Sequence, residues 1–160
     1  MNATQINAAV AALTSKGTFN NSIQEGDFVN WNGQPDNYPG NSTDELNVNK
    51  IYRVICKDAH SYYTKLVIQD TSTGMVFEDG FNELIFTKKE VYHAIAYTNP
   101  KEGERYKICV VSMLNGKLNF TSAQTSKVIA KYQESNATWS VITKNSVYSV
   151  MVIPETSGSI

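Results

Sequence analysis

The chain has 160 residues, 41% of them hydrophobic and 11% aromatic, with 14 Lys/Arg, 15 Asp/Glu and a net charge of −1. That is enough apolar material for one sizeable core or two small ones, and it excludes a disordered chain. No run approaches the roughly 18 apolar residues of a membrane-crossing helix, and the N-terminus lacks a cationic stretch leading into an apolar one, so neither a membrane span nor a secretory signal is expected.

Asn2 to Lys16 predicts the one clear helix, with Asn2 or Thr4 as N-cap, Ile6, Ala9, Val10 and Leu13 on one face, and Gly17 as the stop. So short a helix needs a surface to dock on. Gly26 to Val29 predicts a strand. Trp31 to Glu45 (WNGQPDNYPGNSTDE) then reads as the longest irregular stretch, dense in Gly, Pro, Asn and Asp. Its aromatics, Trp31 and Tyr38, either fold back onto the body of the protein or form a contact surface.

From Ile51 to Cys56 apolar residues fall on both faces of an extended segment. Leu66 to Ile68 form an apolar run that stops at Asp70-Thr71-Ser72-Thr73-Gly74, and Met75 to Phe77 resume the extended pattern. Turn-bounded strands at this spacing predict a small closed barrel. Phe81 to Tyr97 allows a strand, a turn near Thr87-Lys88-Lys89 and another strand, with a helix over Lys88 to Tyr97 as the competitor. Thr98 to Gly103 is a turn and the expected join between two halves.

Beyond it, Tyr106 to Leu114 predicts a strand, and Asn115-Gly116 is the strongest hairpin signal in the chain, because both residues readily adopt the positive φ of a type I′ turn. Lys117 to Thr121, Lys127 to Tyr132, Thr138 to Thr143 and Ser146 to Ile153 follow as strands, with turns at Asn136-Ala137 and Lys144 to Ser146. Pro154 to Ile160 is expected to remain unpaired.

The segments Leu46-Asn-Val-Asn-Lys-Ile-Tyr52, Leu66-Val-Ile-Gln-Asp70 and Phe77-Glu-Asp-Gly-Phe81 resemble the small SH3-like barrels of tailed bacteriophages, with Asn49 where that pattern has Gly. The stretch from Thr121 to Ala130 and that from Trp139 to Tyr148 are similar to short phage proteins with a Thr-Ser…Val…Thr-x-Asn-Ser-x-Tyr pattern. Together they span somewhat over half of the chain. The resulting expectation is a mainly β protein made of one or two small SH3-like or other β-barrel units with a short N-terminal α-helix. Its organisation would be a helix over 1–17, an SH3-like barrel over 18–97, and a second small β domain, or a continuation of the same barrel, over 98–160.

Chemistry-bearing patterns are sparse. Cys56 and Cys109 lie in apolar strand-like segments outside any Cys/His cluster and are expected to be buried, reduced thiols. His60 beside Asp58 reads as a turn residue and His93 as a partly buried one, neither with the company a metal site needs. Glu78, Asp79 and Glu83, like Asp44-Glu45, read as surface charge. No phosphate-binding Gly loop and no nucleophile motif is present, so no enzyme activity, cofactor or metal is expected. Charge is uneven, −4 over residues 1–90 and +3 over residues 91–160, too weak a basic half to require nucleic acid. The residues that a strand-binding barrel would use are Tyr106, Lys107, Lys117, Lys127, Lys131, Tyr132 and Lys144.

The leading expectation is therefore a non-catalytic phage protein that acts through surface contacts as a virion-associated or accessory structural component, with Trp31 and Tyr38 in its contact loop. Its partners would be other virion or host proteins, with self-association open, in the virion or the host cytoplasm. The alternatives are an intracellular anti-defence effector that binds a host protein or a small nucleotide, and a single-strand-binding barrel.

Overall fold

The structure, a computed structural model, describes residues 3–14, 22–37, 41–60 and 62–153. It is mainly β, with two sheets and one short N-terminal helix. The chain divides into two compact units, Asn20–Glu90, and Met1–Phe19 together with Val91–Ile160. The boundary thus falls before residue 91 and not at 97/98. The helix also belongs with the C-terminal strands instead of standing apart. The segment 91–96 is a strand that pairs only with later ones, and α1 (Ala3–Thr14) packs on it and on the strand that follows.

The Asn20–Glu90 unit holds β1 (Phe28–Trp31), β2 (Tyr52–Ala59), β3 (Thr64–Asp70), β4 (Val76–Asn82), a single 3-10 turn (Glu83–Ile85) and β5 (Phe86–Lys88), in the order β4-β3-β2-β1-β5. All pairs are antiparallel. In β3 every second residue, Leu66, Ile68 and Asp70, turns inward, the period-2 pattern of a half-buried strand. With Ile23, Val29, Tyr52, Val54, Phe81, Ile85 and Phe86 the two apolar ones build the core. Among the described residues no pairing joins β4 to β5, so hydrogen bonds do not close this sheet into the expected barrel.

In β2 a register shift between Val54 and Cys56 interrupts the alternation. Tyr52 and Val54 face the core, but beyond the bulge Ile55 and Cys56 are exposed. The expectation of a buried Cys56 fails here; Cys109 is half-buried, and both thiols are free.

The second unit holds β6 (Val91–Ala96), β7 (Arg105–Leu114), β8 (Lys117–Lys127), β9 (Ala130–Gln133), β10 (Thr138–Ile142) and β11 (Val147–Val152), ordered β8-β7-β6-β11-β10-β9. Residues 91–96 are therefore strand and not the competing helix. Asn115 and Gly116 have φ of 52° and 76° and join β7 to β8 in the expected tight turn. The segment read as one strand over Lys127 to Tyr132 is instead a bend at Val128 and Ile129. The Val128 amide donates to the Glu104 carbonyl at 2.9 Å and the Ile129 amide to the Ile142 carbonyl at 2.8 Å. The two edges of the sheet are thus consecutive in the chain, and the sheet curls back on itself. The chain keeps its direction through this bend, so β8 and β9 run the same way, the alternation is broken once, and β11 comes to lie parallel to β6.

The inner face gathers Ala94, Ala96, Tyr106, Ile108, Val128, Val141 and Val150. The opposite face carries a smaller cluster of Ile95 and Val111 with Leu118, Phe120 and Ile153 against it. The Ile6, Ala9, Val10 and Leu13 side chains and the tail from 154 lie outside the described residues.

Candidate functional site

The connection from β1 to β2 is long, as the Gly/Pro/Asn composition predicts, but much of its described part is pinned to the sheet. The Asn32 amide donates to the Ile85 carbonyl at 2.9 Å and its side-chain amide to the Leu84 carbonyl at 3.1 Å. Asp36 Oδ2 accepts from Asn41 Nδ2 at 3.0 Å and from the Asn82 amide at 3.1 Å. At the far end Asn30 Nδ2 donates to the Lys50 carbonyl at 3.0 Å, and the Asn47 amide donates to the buried Tyr52 hydroxyl at 2.9 Å. Burial first of all pushes the Tyr52 phenol above its usual range.

An ion pair anchors the same end. Lys50 Nζ lies 2.6 Å from Asp70 Oδ2, while Asp70 Oδ1 accepts from the Ser72 amide at 2.9 Å and the Ser72 hydroxyl at 2.6 Å. Burial alone would raise the Asp70 pKa, but Lys50 and the two Ser72 bonds outweigh it and hold the carboxyl below its ordinary value. The Asp70 bond, which outweighs the cost of burial, raises the Lys50 pKa correspondingly. Thr71 Oγ donates to the Ile51 carbonyl at 2.7 Å, so the turn after β3 is tied to the loop through adjacent residues.

Trp31 ends β1 instead of opening the loop. It is half-buried against the core, and its indole N–H donates to the Gln34 carbonyl at 2.8 Å. Tyr38, the other predicted contact residue, lies outside the described residues.

The loop and β4 enclose a groove of about 510 Å3, lined by Asn41, Ser42, Asp44 and Glu45 on one side and by the segment 75–81 on the other. Met75 and Val76 are exposed within it, and Phe77 is half-buried. Four carboxylates flank these apolar side chains: Asp44, Glu45, Glu78 and Asp79. None of them is in an ion pair among the described residues, whereas Asp27, Asp70 and Glu83 are matched by Lys88, Lys50 and Lys57.

Gly80 gives the groove its wall. Leu66 pairs with Phe81 but Ile68 pairs with Phe77, so two extra residues of β4 bulge outward and carry Glu78 and Asp79 with them. Gly80 has φ +70°, and a Cβ there would sit 2.6 Å from Lys65 Cε and 2.9 Å from the Leu66 carbonyl oxygen. In sequence these residues form two separate small acidic clusters and read as surface charge. The Gly within Glu78-Asp79-Gly80 was the one signal of a bulge, and nothing in the sequence links it to Asp44.

The residues proposed for a nucleic-acid surface are not assembled into one. Tyr106 is buried in the core of its unit, its hydroxyl donates to the Thr98 carbonyl, and burial pushes its pKa far up; it cannot stack on a base. Lys131 Nζ donates to the Pro100 carbonyl at 3.1 Å and stands 5.2 Å over the Trp139 ring. Tyr132 is half-buried, and Lys107, Lys117, Lys127 and Lys144 are exposed. His60 lies 3.6 Å from Asp58 and stacks on Tyr63 at 5.0 Å, while His93 is half-buried. Among the described residues no three His, Cys, Asp or Glu side chains stand close enough to hold a metal ion. Among the same residues no helix is long and apolar enough to cross a membrane.

A second cavity, of about 470 Å3, lies between α1 and the outer face of β6 to β8, with Gln5, Ile95, Lys107, Cys109 and Ser122 among its walls. Burial pushes the Cys109 thiol up, the opposite of what a reactive cysteine needs. Comparison with protein-family models, with curated proteins and with solved structures finds no match for this chain.

Proposed function

We propose that this is a non-enzymatic contact protein, an accessory or structural component of a tailed-phage particle, whose Asn20–Glu90 unit receives a short basic and apolar segment of a partner protein. The observation that carries this reading is the groove beside β4, where exposed Met75 and Val76 lie between two pairs of carboxylates. Apolar side chains of a bound segment would cover the two exposed ones, and Lys or Arg on either side would meet the acidic rims. The unit carries eleven Asp/Glu against six Lys/Arg, so the wider field attracts the same ligand.

The strand order β4-β3-β2-β1-β5, the long first loop and the 3-10 turn before β5 are compatible with the SH3-like unit that the sequence motifs resemble. SH3 domains take proline-rich ligands in aromatic-lined grooves. Here Met75 and Val76 are exposed beside Phe77 and Phe81 and the rims are acidic, which favours a cationic, apolar segment over a proline-rich one. The phage assignment rests on the sequence resemblance.

The test is a fluorescence-polarisation titration of the full chain with labelled peptides that alternate Lys or Arg with Leu or Val, against acidic peptides of the same apolar content. Basic peptides should bind and lose affinity as salt rises from about 50 to 300 mM, since rim charges are screened over roughly 10 Å. Glu78→Lys with Asp79→Lys should abolish that binding. Equal binding of both peptide sets, or binding indifferent to the double substitution, would refute the reading.

A further inference from the structure

The second unit manages its two sheet edges very differently. β9 is four residues long and carries Lys131. β8 has eleven residues, and from Leu118 to Ser126 it holds no charge, no Pro and no Gly. Among the described residues it pairs with β7 alone. Edge strands that stay solitary are normally short, charged, bulged or interrupted by Pro; the Leu118 to Ala123 half of β8 shows none of these devices.

We propose that β8 is the pairing edge of a symmetric dimer, its occupant the β8 strand of a second copy of this chain. This goes beyond the partner-binding groove and does not depend on it, since the residues belong to the other unit.

The hairpin register determines which groups are offered. A two-residue turn makes Leu114 and Lys117 a hydrogen-bonded pair, and such pairs then alternate, so Asn119, Thr121 and Ala123 bond back to β7. Leu118, Phe120 and Ser122 therefore direct their amides and carbonyls outward. Antiparallel pairing across a twofold axis must match outward residues with outward residues. One such register sets Phe120 against Phe120 of the second copy and Leu118 against its Ser122, with Asn119 facing Thr121.

Side-chain chemistry favours that register. Phe120 and Leu118 lie on the face that carries Ile95, Val111 and Ile153, so the apolar cluster of each copy runs into the other across the seam. Lys117 faces Ala123 of the second copy and Lys127 lies outside the paired segment, so no like charges meet. A register centred on Ser122, which is equally symmetric, would set Lys117 against Lys127 and is disfavoured. The twofold axis makes the interface isologous, so it stops at two copies.

Sedimentation velocity on the full chain at tens of micromolar should show a dimer. Ser122→Pro removes an outward amide while leaving the β7 ladder intact, and Pro is tolerated on an edge; it should raise the dimer dissociation constant about tenfold or more with the melting temperature little changed. In a Cys56→Ser background, Asn119→Cys together with Thr121→Cys should cross-link two chains on oxidation, because those positions face each other as a close pair. Either substitution alone should cross-link far more slowly. A monomeric wild type at these concentrations, a Ser122→Pro protein that dimerises as before, or cross-linking by the single variants at the rate of the double one would each overturn the proposal. Should Ser122→Pro unfold, the cross-linking arm decides alone.

Discussion

The Lys50–Asp70 pair yields an asymmetry that can be measured. The Asp70 side chain is 5% exposed and the Lys50 side chain 37%, so the two partners do not lose equally when the other is removed. In Asp70→Asn the amide oxygen still accepts from Ser72, and the Lys50 ammonium turns out to water; the loss should be about 1–2 kcal/mol. In Lys50→Met the carboxylate stays buried with no counter-charge, a situation that costs about 3 kcal/mol or more. The pH profile distinguishes the variants again. The wild-type Asp70 pKa is held below its ordinary 3.8, so its contribution is complete above that value and is lost as pH falls through the lower folded-state value. Without Lys50, burial opposes only the Ser72 bonds, the folded-state pKa climbs, and the loss on acidification from pH 5 to 3 flattens. Lys50 acts at the other end: its raised pKa means that its share is complete below 10.5 and disappears only in stronger base. Urea unfolding followed by Trp31 fluorescence in a Trp139→Phe background reads the Asn20–Glu90 unit, because each unit has one tryptophan. A Lys50→Met variant no less stable than Asp70→Asn, or one with the wild-type acid profile, would refute this reasoning.

Gly80→Ala should destabilise the same unit by about 2 kcal/mol or more, from positive φ and contact with the Leu66 carbonyl, and calorimetry checks it. Trp31→Ala should cost about 2 kcal/mol, because the ring is half-buried against the core; an unchanged melting temperature would return Trp31 to the role of a contact residue. Native-state labelling at pH 7.5 should modify Cys56 quickly and Cys109 slowly, with Cys109 catching up on unfolding. Spectrophotometric titration should leave Tyr106 un-ionised until the fold is lost.

Local signals were read correctly where one short-range force dominates. Asn115-Gly116 forms its turn because few other dipeptides tolerate two positive φ angles in a row, and the apolar run Leu66 to Ile68 lies in a strand that ends at Asp70, where its turn residues begin. The errors sit where the chain leaves a regular period. The bulge beyond Val54 exposes Cys56, and no residue type in the Tyr52 to Lys57 run announces it. Val128 and Ile129 look like the interior of a strand, yet each turns to a different neighbour, Glu104 and Ile142, far away in sequence. The groove was illegible for the same reason: Asp44 and Asp79 meet only through the path of a long loop. The unit boundary was misplaced because strand pairing, not the Thr98 to Gly103 turn, decides where β6 belongs.

The way the Asn20–Glu90 unit interrupts the other one has a consequence for synthesis. Leaving a ribosome, α1 emerges ahead of the described strands, but its packing partners β6 and β7 follow only after the whole intervening unit has been made. So short a helix is marginal alone, so it has to wait. The Asn20–Glu90 unit, whose strands pair mostly with near neighbours, can complete meanwhile. The interrupted unit finishes after it, because its first strand β6 acquires its parallel partner only when β11, the last of the described strands, arrives. Emergence of β11, and not the appearance of the helix, is then the moment at which this unit becomes cooperative, and truncation before Val152 would leave it without its seam while the earlier unit stays folded.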